Sequence, residues 1–216
     1  LLYIIGETRD EMGGSHYNLV NGINGGNVPQ PNTKAIDTYR ALHKAIQAGL
    51  LVSCHDVSEG GIGVALAEMC IAGRLGAWLG ADSTTYSLLA KGFPKLSQEK
   101  WNELHVQAES DIAIQTISMF TETIGRFIIE VRGSAEDLDF PKQQVAFEEV
   151  MRNEGVVITN IGAAWDKNYF ELDGHATKAY QLPLADLDHA WRGEIQRNHF
   201  AVLQTPQIET KSPITR

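Results

Sequence analysis

Short apolar runs alternate along the chain with segments in which apolar residues recur every third or fourth position. The runs predict strands at residues 2–5, 50–52, 127–131 and 156–161, and a late hairpin of residues 169–172 and 177–181. The spaced segments predict helices at residues 16–20, 32–49, 111–119, 134–153 and 184–195, and one that follows Ser58. This alternation predicts an α/β fold in which helices flank a mixed sheet.

The same spacing predicts which side chains face the core. The last helix has two large apolar anchors, Leu187 and Trp191. Pro141 should disturb the helix at residues 134–153, because proline removes a backbone donor. Residues 73–80 should form the edge of the sheet. The helix at residues 32–49 presents one apolar side, made of Ile36, Tyr39, Leu42, Ala45 and Ile46.

The stretch LVSCHDVSEGGIGVALAEMCI, residues 51–71, combines polar and glycine residues beside a strand. The apolar run at residues 50–52 predicts a buried strand, so His55 and Asp56 should lie just past its carboxyl end. Loop residues at such a junction are well placed to hold a ligand. Asp56 could bind a metal or cap the turn, and a lone histidine such as His55 is more often structural than catalytic.

The turn that follows predicts both a helix start and a place for an anion. Ser58 is a suitable N-cap, and Glu59 would lie in the first turn, near the positive end of the helix dipole. Gly60 and Gly61 would let backbone amides approach a phosphate or a neighbouring strand closely. Tight packing alone also explains such a turn, and the pattern gives the two interpretations about even weight.

A second glycine-rich turn lies near the amino terminus, at Gly13, Gly14 and Ser15. Its backbone amides could contact a phosphate or a nucleotide. The other interpretation is a plain turn in which Ser15 caps the helix at residues 16–20, and the residues alone favour it slightly.

Composition narrows the classes of partner. The net charge of -9 argues against broad contact with nucleic acid or an anionic membrane, although a local phosphate pocket remains open. No apolar run reaches the ~18 residues of a membrane span, and the two cysteines are no disulfide framework, so we expect a cytoplasmic protein. The chain starts inside an apolar strand at Leu1, which suggests a piece of a longer polypeptide.

Four motifs follow one another along the chain: IIGETRDEMGGSHY, HDVSEGGIGVALAEM, TETIGRFIIEV and LPLADLDHAWRGEI. Together they resemble the second half of phosphoribosylformylglycinamidine synthase, in the carboxyl-terminal type of domain that it shares with aminoimidazole ribonucleotide synthetase. The resemblance spans residues 2–195. It implies a three-layer α/β domain at residues 1–200, with an insertion at residues 82–109. Low apolar content and two prolines near the end of the chain predict a flexible tail at residues 201–216.

The resemblance also implies a second, pseudo-symmetric nucleotide site in a duplicated enzyme. It places a magnesium ligand at Asp56. Here Ile124 replaces the proline of the family's Ser-Glu-Ser-Pro-Gly-Arg loop, so a less rigid loop is expected. Glu122 and Arg126 could bind the ligand or pair with each other. The implied contacts to ATP or ADP are Gly13, Gly14, Ser15, Asp56, Ser58, Gly60, Gly61, Glu122 and Arg126.

The activity that the resemblance implies is ATP-dependent amidation of formylglycinamide ribonucleotide in purine biosynthesis, with ammonia supplied by a glutaminase subunit or domain. The family's catalytic histidine and most of its magnesium carboxylates lie in other domains, so we expect no catalytic residue here and an inactive isolated chain. Two alternatives remain open. One is another superfamily member, similar to the selenophosphate or thiamine-monophosphate enzymes, which the preceding domain in the intact gene would identify. The other is a structural docking domain, which would not respond to ATP and magnesium in a thermal-shift screen.

Overall fold

The fold is built on a seven-stranded mixed sheet, seen in a computed structural model that describes residues 1–80, 116–132, 140–173 and 180–192. The strands are β1 (Leu2–Ile5), β2 (Leu51–Val57), β3 (Gly76–Gly80), β4 (Arg126–Val131), β5 (Ile158–Trp165), β6 (Tyr169–Asp173) and β7 (Tyr180–Pro183). They lie in the order β2-β4-β1-β5-β3-β6-β7. β3 and β6 pair in parallel, and the other neighbours, including the predicted β6–β7 hairpin, are antiparallel.

Helices cover both faces of this sheet. They are α1 (His16–Asn21), α2 (Ala35–Gln47), α3 (Gly61–Gly73), α4 (Phe140–Asn153) and α5 (Leu184–Arg192), and residues 116–120 are helical as well. α2 packs with α4 on one face, whereas α3 packs with α5 on the other. Helices, sheet and helices thus form three layers, which confirms the predicted fold class. None of the helices in the described ranges is both long and apolar enough to cross a membrane.

β1 separates two apolar cores, because successive side chains of a strand point to opposite faces of the sheet. Leu2 and Ile4 face α3, and Tyr3 and Ile5 face α2 and α4. The first core also contains Ile62, Leu66, Leu79 and Ile128, and the second also contains Ala41, Ile129, Phe147 and Met151. β1 is buried along its whole length and contacts both helical layers.

β2 differs from the prediction in both length and burial. The sequence predicts a buried strand that ends at Val52, but β2 continues to Val57 and forms an edge of the sheet. The Val52 residue is 51% exposed. Cys54, His55 and Asp56 therefore lie inside the strand, since a sheet edge can carry polar side chains that a central strand would exclude. The sequence predicts residues 73–80 at the edge of the sheet, but β3 lies between β5 and β6.

α2 turns only part of its predicted apolar side to the core, since Leu42 and Ala45 are buried as predicted. Ile36, Tyr39 and Ile46 are exposed, although they belong to the predicted apolar side. The buried stripe keeps helical spacing, and apart from Leu42 it uses smaller residues than the predicted side. The residues of this stripe are Thr38, Ala41, Leu42 and Ala45.

The sequence predictions for α4 and α5 concern Pro141, Leu187 and Trp191. Within the described residues α4 runs from Phe140 to Asn153, so it continues past Pro141. The disturbance of the helix at Pro141 stays a prediction, because the residues that precede Phe140 lie outside the described ranges. Leu187 of α5 packs against the first core, as predicted. Trp191 does not anchor the helix in the core, because it is 59% exposed and its indole N–H donates to the Glu68 carboxylate at 3.0 Å. Residues 82–109, 134–139, 193–195 and 201–216, for which the sequence makes predictions, lie outside the described residues.

Candidate functional site

The turn between β2 and α3 is tighter than the sequence predicts. α3 begins at Gly61, with Gly60 as its N-cap in the left-handed conformation, at φ 77°. The Ser58 carbonyl accepts a hydrogen bond from the Gly61 amide at 3.1 Å. Ser58 is therefore not the N-cap, and Glu59 precedes the helix. Two successive positive φ values, at Gly60 and Gly61, make this turn accessible chiefly to glycine.

Close packing accounts for two of the predicted glycine contacts. A Cβ on Gly61 would lie 2.6 Å from the Met119 carbonyl oxygen, so only glycine fits under that backbone. A Cβ on Gly13 would lie 2.5 Å from the Gly26 carbonyl oxygen. The Gly13 amide also donates to the Asn27 carbonyl at 2.7 Å, and so it is already engaged within the protein.

The turn before α1 has the predicted cap. Ser15 is the N-cap of α1, and its hydroxyl oxygen accepts a hydrogen bond from the Asn18 amide at 3.2 Å. Ser15 is 1% exposed, whereas Gly14 is exposed at φ 77° with open space beside it. The capping role of Ser15 is therefore confirmed, and Gly14 is the member of this turn whose surroundings leave room for another molecule.

Glu122 connects the two glycine-rich turns. Its carboxylate oxygen Oε1 accepts hydrogen bonds from the backbone amides of His16 and Gly60, each at 2.8 Å. The His16 ring nitrogen Nδ1 lies 3.3 Å from the same oxygen. A carboxylate at residue 122 thus joins segments that are distant in sequence, and this link was not part of the sequence prediction.

The Arg126 side chain forms hydrogen bonds with neighbouring residues and not with Glu122. The guanidinium donates to the Thr121 carbonyl at 2.6 Å, the Thr123 carbonyl at 3.1 Å and the Thr8 hydroxyl at 3.0 Å. Arg126 is 1% exposed, and burial lowers the pKa of its guanidinium to about 9. The interpretation in which Arg126 pairs with Glu122 is therefore wrong, since both side chains have other partners.

The hydroxyls of the same loop hold the segment that follows β1. Thr121 donates through Oγ1 to the Arg9 carbonyl at 2.7 Å and accepts from the Glu11 amide at 3.1 Å. Thr123 accepts through Oγ1 from the Arg9 amide at 3.2 Å. Because Thr121 and Thr123 are fully buried, their hydroxyls must be hydrogen-bonded, and this explains hydroxyl residues at both positions.

A cleft of about 470 Å³ opens beside this scaffold. Its polar lining includes the carboxylates of Asp56, Glu59 and Glu122, with Ser58 and Arg126 at the same cleft. The Asp56 side chain is 67% exposed. The cleft also has an apolar wall, which the sequence analysis did not identify, because its members come from α2, from β4 and from two loops. The wall consists of Pro29, Tyr39, Ile124 and Phe127.

The lining of the cleft contains some of the predicted site residues but not all of them. Asp56, Ser58, Glu122 and Arg126 share the cleft, whereas the turn at residues 13–15 is not part of its lining. Several carboxylates facing one space favour a cation, or a ligand that brings one. No group of three or more His, Cys, Asp or Glu residues that could hold a metal ion occurs in the part of the chain that is described.

His55 has a structural environment at the edge of the sheet. Its Nδ1 lies 2.7 Å from the Asp56 carbonyl oxygen, and its Nε2 lies 3.3 Å from the Glu68 carboxylate on α3. The same Glu68 carboxylate accepts the Trp191 indole N–H, so these contacts tie β2, α3 and α5 together. The nearby Cys54 is unpaired, and burial raises the pKa of its thiol.

Comparison with protein families places the chain among known sequences. A sequence model described as AIR synthase related protein, C-terminal domain, matches residues 1–172. The chain is similar to the phosphoribosylformylglycinamidine synthase subunit PurL of Cutibacterium acnes, with 29% identity over 195 residues, which cover 89% of this chain and 20% of that protein. The protein of the same name from Methanocaldococcus jannaschii is 31% identical over 149 residues, which cover 68% of this chain and 17% of that protein. The chain therefore spans about a fifth of the length of these curated relatives.

Solved structures share the fold. Thermotoga maritima PurL complexed with FGAR matches with a TM-score of 0.59 and 15% identity, over 87% of this chain and 27% of that one. The structure of PurLQS from the same organism matches with a TM-score of 0.56 and 14% identity, over 87% of this chain and 25% of that one. At these identities the likeness concerns the fold alone.

Proposed function

The chain belongs to the family described as AIR synthase related protein, C-terminal domain, and on that premise we propose that it is the last domain of a phosphoribosylformylglycinamidine synthase. The observation that carries the proposal is the match to PurL of Cutibacterium acnes, which covers 89% of this chain but 20% of that protein. A match that covers most of one chain and a small part of the other is expected when the first chain corresponds to one domain of a longer enzyme. The preserved order of the four sequence motifs supports the same assignment.

The proposed reaction converts the amide of formylglycinamide ribonucleotide to an amidine at the expense of ATP. Phosphoryl transfer to the amide oxygen makes that oxygen a leaving group, and ammonia then displaces it. Such chemistry depends mainly on positioning and on neutralising phosphate charge. We propose that the groups that do this lie in the rest of the polypeptide, and that the isolated chain does not catalyse the reaction.

The part of the enzyme that this chain would contribute is one wall of a second nucleotide site. Asp56, Ser58, Glu122 and Arg126 line a cleft of about 470 Å³, and Tyr39 gives that cleft an apolar wall suited to a base. Of the other proposed contacts, the amides of Gly13, Ser15, Gly60 and Gly61 already donate within the protein. The contact at Gly14 remains a proposal.

Magnesium fits this cleft as a companion of the nucleotide. Mg²⁺ in nucleotide sites is commonly held by one or two carboxylates, with water and phosphate oxygens as the other ligands. The largely exposed Asp56 carboxylate could be one such ligand, and the ion would neutralise phosphate charge beside the acidic lining. A site of this kind needs no cluster of protein ligands.

The proposed partners are the remaining domains of the synthetase and a glutaminase subunit or domain that supplies ammonia. The related structure of PurLQS from Thermotoga maritima supports an assembly of this kind in the family. A cytoplasmic location belongs to the same proposal, and both cysteines, Cys54 and Cys70, are free, as a reducing compartment permits.

The experiment is an assay of the full-length polypeptide that contains this chain. With ATP, magnesium, ammonia and formylglycinamide ribonucleotide, it should form the amidine product and ADP. Phosphorylation of thiamine monophosphate or synthesis of selenophosphate by that polypeptide, without amidine formation, would reject the assignment and favour another superfamily member.

The nucleotide site has a separate test by calorimetry on the full-length polypeptide. Asp56→Ala should reduce the nucleotide stoichiometry or its magnesium dependence, whereas Asp37→Ala, on α2 outside the cleft, should leave both unchanged. Unchanged binding by Asp56→Ala would reject the metal role of Asp56 and favour a structural domain in which the glycines serve packing.

A further inference from the structure

The two amides that meet at Glu122 are arranged as an anion-binding pair. Gly60 has a positive φ of 77°, and backbone amides exposed in such turns can form a concavity that attracts negative charge. The Gly61 amide takes no part in it, because it donates to the Ser58 carbonyl. The Gly60 amide is directed at the space between the turns, and the His16 amide reaches the same point from the other side. Free amides in this arrangement would donate hydrogen bonds to a phosphate or carboxylate oxygen.

The protein already supplies that oxygen. Glu122 Oε1 lies 2.8 Å from both amide nitrogens, which is the length of a charge-assisted hydrogen bond. The Glu122 side chain is 15% exposed, so the two amides and the His16 ring replace much of the water that a free carboxylate would bind. A carboxylate held in this way is engaged and does not simply extend into the cleft.

We propose that Glu122 is a built-in counter-anion, which fills the anion position between the two glycine-rich turns and holds the turns together. Glu122 is a positioning residue in this role, and it acts through the backbone of residues 13–16 and 58–61. The amides of His16 and Gly60 are occupied by Glu122. A phosphate in the cleft would therefore be bound through a magnesium ion held by Asp56 and not by these two amides. This role of Glu122 concerns how the domain is held together, and it does not depend on the proposed enzyme activity.

Anion rescue distinguishes this role from ordinary packing. We expect Glu122→Ala to lower the melting temperature of the 216-residue chain by about 5–10 °C, because two charge-assisted hydrogen bonds are lost. Sodium formate, compared with sodium chloride at equal ionic strength, should then raise the melting temperature of the variant by about 3 °C more than that of the wild type. Inorganic phosphate should likewise stabilise the variant preferentially, because the amides are free only there.

Two further variants complete the test. Glu59→Ala, which removes another carboxylate of the cleft, should show no formate response beyond that of the wild type. An equal formate response in wild type, Glu59→Ala and Glu122→Ala would overturn the proposal. If Glu122→Ala does not fold, Glu122→Gln keeps an oxygen acceptor but no charge, and the amide proton resonances of His16 and Gly60 should move upfield as their hydrogen bonds weaken. Unchanged resonances at both amides would also overturn it.

Discussion

Replacing Arg126 with alanine tests whether this arginine is a structural element of the site or a ligand contact. Arg126 is the largest of the fully buried side chains in the described residues. Its guanidinium joins the loop of Thr121 and Thr123 to Thr8, which follows β1. The substitution leaves two carbonyl oxygens and one hydroxyl without these donors, and it leaves a void where the side chain packed.

The expected cost follows from these contacts. A buried polar group that loses its partner costs about 1–3 kcal/mol, so three groups give about 3–9 kcal/mol. Relief from burying the guanidinium charge, whose cost is visible in its lowered pKa, offsets part of this, and water entering the void offsets more. We therefore expect a net loss of about 3–5 kcal/mol in the free energy of unfolding, which is a large fraction of the ~5–15 kcal/mol typical of a domain.

Urea unfolding of the 216-residue chain measures this loss directly. Arg126→Lys should lose less than Arg126→Ala, because an ammonium retains the charge but lacks the planar set of donors. Arg40→Ala is the control, since Arg40 is an exposed arginine paired with Asp37, and it should change stability by less than about 1 kcal/mol. A loss below about 1 kcal/mol for Arg126→Ala, with unchanged m-value, would refute the structural role.

Two other predictions address the turn and the second core. Gly61→Ala should cost about 2–4 kcal/mol in unfolding free energy by urea titration, because the new Cβ would lie 2.6 Å from the Met119 carbonyl oxygen at a positive φ. Gly49→Ala, at a similar φ but with open space, should cost only about 1 kcal/mol, and equal costs would argue against the close contact. Burial and the hydrogen bond to Glu148 raise the pKa of Tyr3 to about 12 from 10.0, so the folded state holds this proton more tightly and wild-type stability should fall as pH rises through that interval. Tyr3→Phe should lose less stability than wild type between pH ~10 and ~12, and parallel losses would contradict the assignment.

Periodicity predicted the helices and strands well where an element is apolar along most of its length. β1, β4 and α3 consist largely of apolar residues, so the chain leaves little doubt that these elements belong to the core. Periodicity failed at β2 because an edge strand needs few apolar residues, and the polar residues after Val52 looked like a loop. It failed at α2 because small residues, such as Ala41, can form the buried stripe while large ones remain outside.

The candidate site could be predicted in its members but not in its connections. Asp56 and Glu122 were identified from motifs, and the structure brings both to one cleft. No sequence rule predicts that Glu122 would bind amides at His16 and Gly60, which are 106 and 62 residues away. Such links depend on how strands are ordered in the sheet, and local patterns do not contain that order.

The most direct measurement of the central proposal is ATP turnover by two purified proteins, the 216-residue chain and the full-length polypeptide that contains it. Both would be supplied with formylglycinamide ribonucleotide, ammonia and magnesium. We expect the full-length protein to release ADP together with the amidine, and the isolated chain to remain at background. Substrate-dependent ADP release by the isolated chain, or no amidine from the longer polypeptide, would contradict its assignment as a dependent domain of this synthase.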